Sequence, residues 1–202
     1  MKLEIFQVDA FTSVPFGGNP AAVVPLQTWL ADDLMQDIAA QNNLSETAFF
    51  VKERDRYHIR WFTPTMEVNL CGHATLASAH VIFNELELEK NSIVFHSDKS
   101  GALGVERRDG RLVLDFPAYQ ITEIEQSDAL AQALGKVPVK VWSAINDGVM
   151  VRLETEQDAR NLEPDFHALA KLEYERVYVT APGETCDFVS RMFAPKIGIA
   201  ED

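Results

Sequence analysis

Four side chains have the chemistry to move a proton: Glu46, Cys71, His73 and Asp202. Glu46 lies in Asn42-Asn43-Leu44-Ser45-Glu46-Thr47, just ahead of the apolar run Thr47–Val51. A carboxyl group at the mouth of a core is partly desolvated; its pKa rises and it becomes a proton carrier. The bland alternative is a solvated or capping glutamate. Cys71 precedes the start of an apolar helix, where a thiolate is stabilised, so it is a base or nucleophile there, or else a small buried hydrophobe. His73 either donates to a substrate and relays a proton or serves as a polar cap. Asp202 is either the partner of these groups across a cleft, an acid/base arrangement, or an ordinary acidic terminus.

Other reactive patterns are missing. The sequence has no HExxH, no CxxC pair and no carboxylate cluster, so no metal site is expected. His73 and His80 share a helix face but stand two turns apart, too distant for one ion. There is no G-x-S-x-G, Walker A or G-x-G-x-x-G. Gly17-Gly18-Asn19-Pro20 resembles a phosphate loop only in glycine content, and Pro20 argues for a rigid turn.

The stretch that must position these groups is Cys71–Phe83. Between Ala74 and Phe83 only Thr75, Ser78 and His80 are polar. A helix that is apolar on every side is buried, so this one is expected to run through a curved sheet or barrel. Its first turn would present the N–H groups of Gly72, His73 and Ala74 to an anion or carboxylate. Gly72 would let a ligand approach the backbone closely. Around it, strands are expected at Leu3–Asp9, Ala21–Val24, Glu46–Val51 and Tyr57–Phe62. A helix over Asp32–Ala40 has Leu34 and Ile38 as its core pair. Strands follow at Ser92–His96, Ala102–Glu106 and Arg111–Phe116, the last two joined by an Asp109-Gly110 hairpin turn. Pro117 marks a lobe boundary. Beyond it come a helix Asp128–Leu134 stopped by Gly135, a hairpin of Val139–Ile145 with Val149–Leu153, a helix Asp165–Leu172, and strands Val177–Thr180 and Asp187–Phe193.

Composition narrows the class. A 47% hydrophobic chain of 202 residues can build a sizeable core in one or two domains. The net charge of −13, without a Lys/Arg cluster, excludes a nucleic-acid or anionic-membrane surface. No apolar run is long enough to span a bilayer, and the first residues are too polar for a signal peptide. Two cysteines, Cys71 and Cys186, make no framework, so a reduced cytoplasmic protein is expected.

The second half echoes the first. Arg60-Trp61-Phe62-Thr63-Pro64 returns as Arg191-Met192-Phe193-Ala194-Pro195, each after a helix and two strands. The same shift carries Cys71 onto Asp202. The expectation is two duplicated lobes, 1–117 and 118–202, the second incomplete because its helix would begin where the sequence stops. The sequence is therefore expected to be a fragment, or the missing helix to come from another piece of chain.

Asp9-Ala10-Phe11, Gly18-Asn19-Pro20-Ala21-Ala22-Val23, Leu44-Ser45-Glu46-Thr47, Phe62-Thr63-Pro64, Gly72-His73-Ala74-Thr75 and Arg191–Pro195 with Glu201-Asp202 form an ordered set over nearly the whole chain. In order and spacing it resembles the phenazine-biosynthesis-like isomerase family, relatives of diaminopimelate epimerase. The resemblance implies an α+β fold of two pseudo-symmetric lobes, each a curved sheet around a central helix, with the active site between them. It implies cofactor-independent proton transfer on a small carboxylated substrate and a homodimer. By matched motif, Glu46 stands at the proton-shuttling glutamate, Gly72 and His73 at the substrate-binding Gly-His pair, and Asp202 at the aspartate opening an Asp-Pro-x-Thr-Gly loop. Gly18, Asn19 and Ala74 fall with the substrate-binding set. The Pro-x-Thr-Gly part is absent. Cys71 is similar to the thiol base of the epimerase relatives, but those use a pair and no cysteine stands near Asp202. Three readings follow in order: an isomerase, a non-catalytic binder that keeps the cleft, and a thiol racemase.

Overall fold

The computed structural model describes residues 2–118, 120–144 and 147–202. The chain divides into two compact units, Met1–Pro117 and Ala118–Asp202. In the first, chain order runs β1 (Phe6–Ala10), β2 (Asn19–Leu26), α1 (Asp32–Asn42), β3 (Glu46–Glu53), β4 (Arg56–Phe62), β5 (Glu67–Val68), α2 (Gly72–Val81), a π-helical turn (Ile82–Leu86), β6 (Ser92–Ser97), β7 (Gly101–Arg108) and β8 (Arg111–Asp115). The sheet order is β1-β2-β3-β4-β6-β7-β8, with β5 paired to β4. The β1 and β8 strands are its two edges, yet both touch α2, so the sheet curls around that helix.

The expected buried helix is α2, and its sequence explains how it fits. Ala74, Ala77 and Ala79 let the strands approach closely, and all three are buried. Its buried hydroxyls return to the helix itself: Thr75 Oγ1 donates to Cys71 O at 2.6 Å and Ser78 Oγ to Ala74 O at 2.7 Å. A satisfied polar group is tolerated in a core where an orphaned one is not. The apolar strands β2 and β3 are buried on both faces. Ala21, Val23, Ala48 and Phe50 belong to the core around α2, while Val24, Leu26, Phe49 and Val51 pack beneath α1.

The face α1 presents differs from expectation. Its buried pair is Met35 and Ala39, not Leu34 and Ile38, and Leu34 is 37% exposed. The apolar stripe at 34, 35, 38 and 39 is two residues wide; spacing alone does not say where its centre faces. Small Ala39 suits a sheet face that carries bulky Phe49 and Phe62. Pro20 is also not a turn residue: it pairs with Asp9 inside the β1–β2 ladder. The β2–β3 ladder starts only at Ala21 opposite Glu46, so the N–H that proline lacks is not called for on that side. Strand β1 begins at Phe6, later than expected. The Asp109-Gly110 turn is as read, with φ of 50° and 76° between the paired Arg108 and Arg111.

The second unit holds β9 (Thr122–Glu123), α3 (Asp128–Leu134), β10 (Lys140–Ala144), β11 (Gly148–Arg152), α4 (Glu156–Arg160), α5 (Phe166–Leu169), β12 (Arg176–Pro182) and β13 (Phe188–Phe193), in sheet order β13-β12-β11-β10-β9. Gly135, at φ 67°, ends α3 as expected. Ile145, expected to close the β10 strand, lies outside the described residues. The helix expected over Asp165–Leu172 is a single short turn region, α5, and α4 escaped the sequence reading. Only Glu156 and Ala159 of α4 are buried, which leaves no apolar period to detect. Its signal was the capping box of Thr155 with Asp158.

The echo between the halves has a physical counterpart in each unit. The β1–β2, β2–β3, β3–β4 pairings run antiparallel, parallel, antiparallel, and β10–β11, β11–β12, β12–β13 do the same. Arg60 grips both oxygens of Glu67 at 2.8 Å, lies over the Phe62 ring and reaches Asp32 of α1. Arg191 grips both oxygens of Glu201 at 2.6 and 2.8 Å, lies over Phe193 and donates to the carbonyls of Ala159, in the last turn of α4, and Leu162 just after it. Each guanidinium thus ties a strand end to the segment that follows it and to the crossover helix. No helix among the described residues is long and apolar enough to cross a membrane.

The far end of α2 is fastened by Glu87, whose N–H closes the π turn on Ile82 O. Its carboxylate accepts hydrogen bonds from the buried Tyr57 hydroxyl and from Lys52 at 2.6 Å, and pairs with Lys90 at 3.1 Å. Burial raises the Glu87 pKa, but the bonds from Lys52, Tyr57 and Lys90 outweigh it and hold it at about 2, against 4.5 ordinarily. The folded pKa is the lower one, so this contribution to stability is complete above pH 4.5 and is lost as pH falls towards about 2. Urea denaturation of Glu87→Gln is expected to show a flatter loss of stability across that window than the parent chain. Equal slopes would remove Glu87 from the acid response.

Candidate active site

Three elements bring the reactive side chains to one end of the first unit. Strands β2 and β3 run parallel, with Ala21 opposite Glu46, so Asn19 and Ser45 both lie just before the ladder at the same strand ends. Asn43 closes α1 in the left-handed region at φ 52° and turns the chain straight into β3. The amino end of α2 comes up between them, with Cys71 as its cap residue and no side-chain cap. The first intrahelical bond found there is Thr75 N to Cys71 O. The N–H groups of Gly72, His73 and Ala74 precede that bond, in the first turn of the helix.

His73 is the hub. Its Nδ1 is 3.3 Å from Asn19 Nδ2 and 3.4 Å from Cys71 Sγ. Its Nε2 is 3.5 Å from both Ser45 Oγ and Glu46 Oε2. Ser45 Oγ donates to Asn19 Oδ1 at 3.3 Å, closing a ring of contacts. These partners fix one consistent proton assignment. With the Asn19 amide donating to Nδ1, the imidazole proton is on Nε2, whose hydrogen-bond neighbour is Ser45 Oγ. Glu46, Cys71 and His73 are 5%, 6% and 4% exposed, so the group is held away from bulk water. Low local polarity strengthens every one of these interactions.

Of the residues expected from sequence, Asn19, Glu46, Cys71 and His73 converge, with Gly18 next to Asn19 and Gly72 and Ala74 in the first turn of α2. Ala74 turns its side chain into the core and has only its backbone to offer a ligand. Asp202 belongs to the second unit, where its N–H donates to Met192 O at 3.0 Å, next to the Glu201 held by Arg191. Ser45 was missed as a site residue; its adjacency to Glu46 in a polar loop was the available signal. The sequence also gave no hint of a metal-ligand set, yet one ligand atom each from Glu46, Cys71 and His73 lie within 4.8 Å of one another.

This arrangement sits within an ordered set of motifs that a family model matches over residues 8–202, under the description phenazine biosynthesis-like protein. The chain belongs to the phenazine biosynthesis-like family. An uncharacterized isomerase of Pseudomonas aeruginosa is 54% identical over 202 residues, covering 100% of this chain and 77% of that one. A crystal structure of a PhzF-family protein from Enterococcus faecalis superposes with a TM-score of 0.91 at 42% identity, covering 100% and 77% of the two chains. The structure of a predicted epimerase from Pseudomonas aeruginosa, 18% identical with a TM-score of 0.71 over 99% and 76%, shares the fold. The α+β epimerase-like architecture is thus established for this phenazine biosynthesis-like chain, and it is an enzyme of the isomerase class.

Two glycines here serve different ends. A Cβ on Gly18, at φ 75°, would lie 2.1 Å from Ala10 O, so the backbone beside Asn19 admits no other residue. A Cβ on Gly72 would meet only the Phe116 ring, at an ordinary 3.8 Å. Gly18→Ala is expected to destabilise the fold by about 1 kcal/mol or more and to displace Asn19 from His73. Gly72→Ala is expected to leave the melting temperature nearly unchanged while weakening ligand binding. Thermal melts with binding measured on the same samples distinguish the two; a Gly72→Ala protein that melts early would contradict the assignment.

Proposed function

We propose that this chain catalyses cofactor-independent proton transfer on a small carboxylated substrate, with Glu46 as general acid and base. The observation that supports it is a buried carboxylate 3.5 Å from the imidazole His73, at the positive end of the buried helix α2. A carbon acid next to a carboxylate or double bond loses its proton only if the charge left behind is stabilised. The N–H groups of Gly72, His73 and Ala74, together with the helix dipole, are suited to hold a substrate carboxylate or the oxyanion that develops from it. Glu46 takes the proton from one carbon and, as the carboxylic acid, returns it to another, so no net proton is exchanged with the chain. His73, whose Nε2 lies 3.5 Å from Glu46 Oε2, stands beside that carboxyl group and within reach of the same substrate. Asp202, at the matching loop of the second unit, is assigned the partner role by motif position.

Cys71 is a less fitting base. Its sulfur faces His73 Nδ1, and a two-thiol exchange needs a second cysteine; Cys186 is exposed, and its thiol donates to Phe188 O. The test is deuterium incorporation from D₂O into a panel of small unsaturated and amino carboxylates. Glu46→Gln is expected to slow exchange by about 10²–10⁴-fold, the usual worth of a positioned general base. A Glu46→Gln protein that exchanges as fast as the parent ends this assignment.

A further inference from the structure

We propose that Cys71, His73 and Glu46 also form a binding site for a thiophilic divalent cation, Zn²⁺, that closes the site reversibly. The three residues contribute one sulfur, one nitrogen and one oxygen, all within 4.8 Å of one another and all buried. This is a donor set that zinc accepts and that magnesium or calcium does not seek, since those favour oxygen alone. The spacing also suits it. Zn–S near 2.3 Å and Zn–N near 2.0 Å in a tetrahedron place sulfur and nitrogen about 3.5 Å apart, and Cys71 Sγ and His73 Nδ1 are 3.4 Å apart. The cation takes Nδ1, the nitrogen beside Cys71 Sγ, in place of the Asn19 amide, and Nε2 keeps its proton with the Ser45 hydroxyl as its neighbour. Such outer contacts orient a ligating imidazole.

Charge argues the same way. The amino end of α2 opposes a bare cation, but a thiolate and a carboxylate together cancel the two positive charges, and the helix end favours the thiolate. Binding releases the thiol proton to solvent and forms the Zn–S bond, with no change of oxidation state. Three protein ligands leave the fourth position open, so the ion sits where a substrate atom would. Binding itself is independent of the proton-transfer reading; the inhibition rests on it, because the ion ties up the Glu46 carboxylate.

The experiment is titration of the intact chain with Cd²⁺, followed by the ultraviolet thiolate–metal charge-transfer band, and with Zn²⁺, followed by equilibrium dialysis. One ion per chain is expected, with Zn²⁺ displacing Cd²⁺. Cys71→Ser is expected to abolish the band and weaken Zn²⁺ binding by at least about tenfold, while Cys186→Ser keeps both; circular dichroism confirms that each variant is folded. Glu46→Gln, which keeps the thiol, is expected to retain the band but to bind Zn²⁺ more weakly. Loss of the band in Cys186→Ser, or no stoichiometric binding by the folded parent, overturns the proposal. If Glu46→Gln stops deuterium exchange and the parent binds no zinc, the proton-transfer reading survives alone. If zinc binds and no carboxylate exchanges, the metal site survives alone.

Discussion

A helix wrapped by a sheet can meet the outside only at its ends, and that constraint governs the first unit. Apolar on all sides, α2 draws strands around itself until β1 and β8, the two sheet edges, both lie against it. Burying the rod leaves the N–H groups of one end and the carbonyls of the other to be dealt with. At the far end the π turn and Glu87, gripped by Tyr57 and two lysines, absorb the problem. At the near end Cys71 supplies no cap bond. Glu46, His73, Ser45 and Asn19 gather at that end.

The strand register converts that polarity into a site. Because Ala21 is opposite Glu46 in a parallel ladder, the two strands begin together, and the residues just before them share one edge. A slip of one residue would send Glu46 to the opposite face of β3. Gly18 and the Ala10 carbonyl set where β2 starts, and Asn43 sets where β3 starts. The geometry of the group thus depends on two backbone positions with positive φ, Gly18 and Asn43.

Much of this was readable in the residues. Ala74 through Phe83 could not be anything but a buried helix, and Asp109-Gly110 and Gly135 carry their turn geometry in their identities. Glu46 stood out as a carboxylate at the mouth of an apolar strand and His73 as a polar group at the start of an apolar helix, and the motif resemblance gave both their roles. What stayed hidden depends on partners remote in sequence. Which face of α1 packs inward is decided by Phe49 and Phe62 across the sheet. The α4 helix is held by a capping box and one buried alanine, not by a period. The contact of His73 with Asn19 spans 54 residues and exists only because of the β2–β3 register. For Ser45 the sequence offered only its place beside Glu46; its contacts with Asn19 and His73 come from that register.

The guanidinium clasps recur in the two units. Arg60 and Arg191 perform the same three tasks: each holds a glutamate in the segment that follows, lies over a phenylalanine, and reaches a crossover segment alongside. In each unit the clasp fixes the path of the backbone after the strand and leaves the other side chains of that segment untouched. Substitution there can change what the segment displays without loosening how it is held.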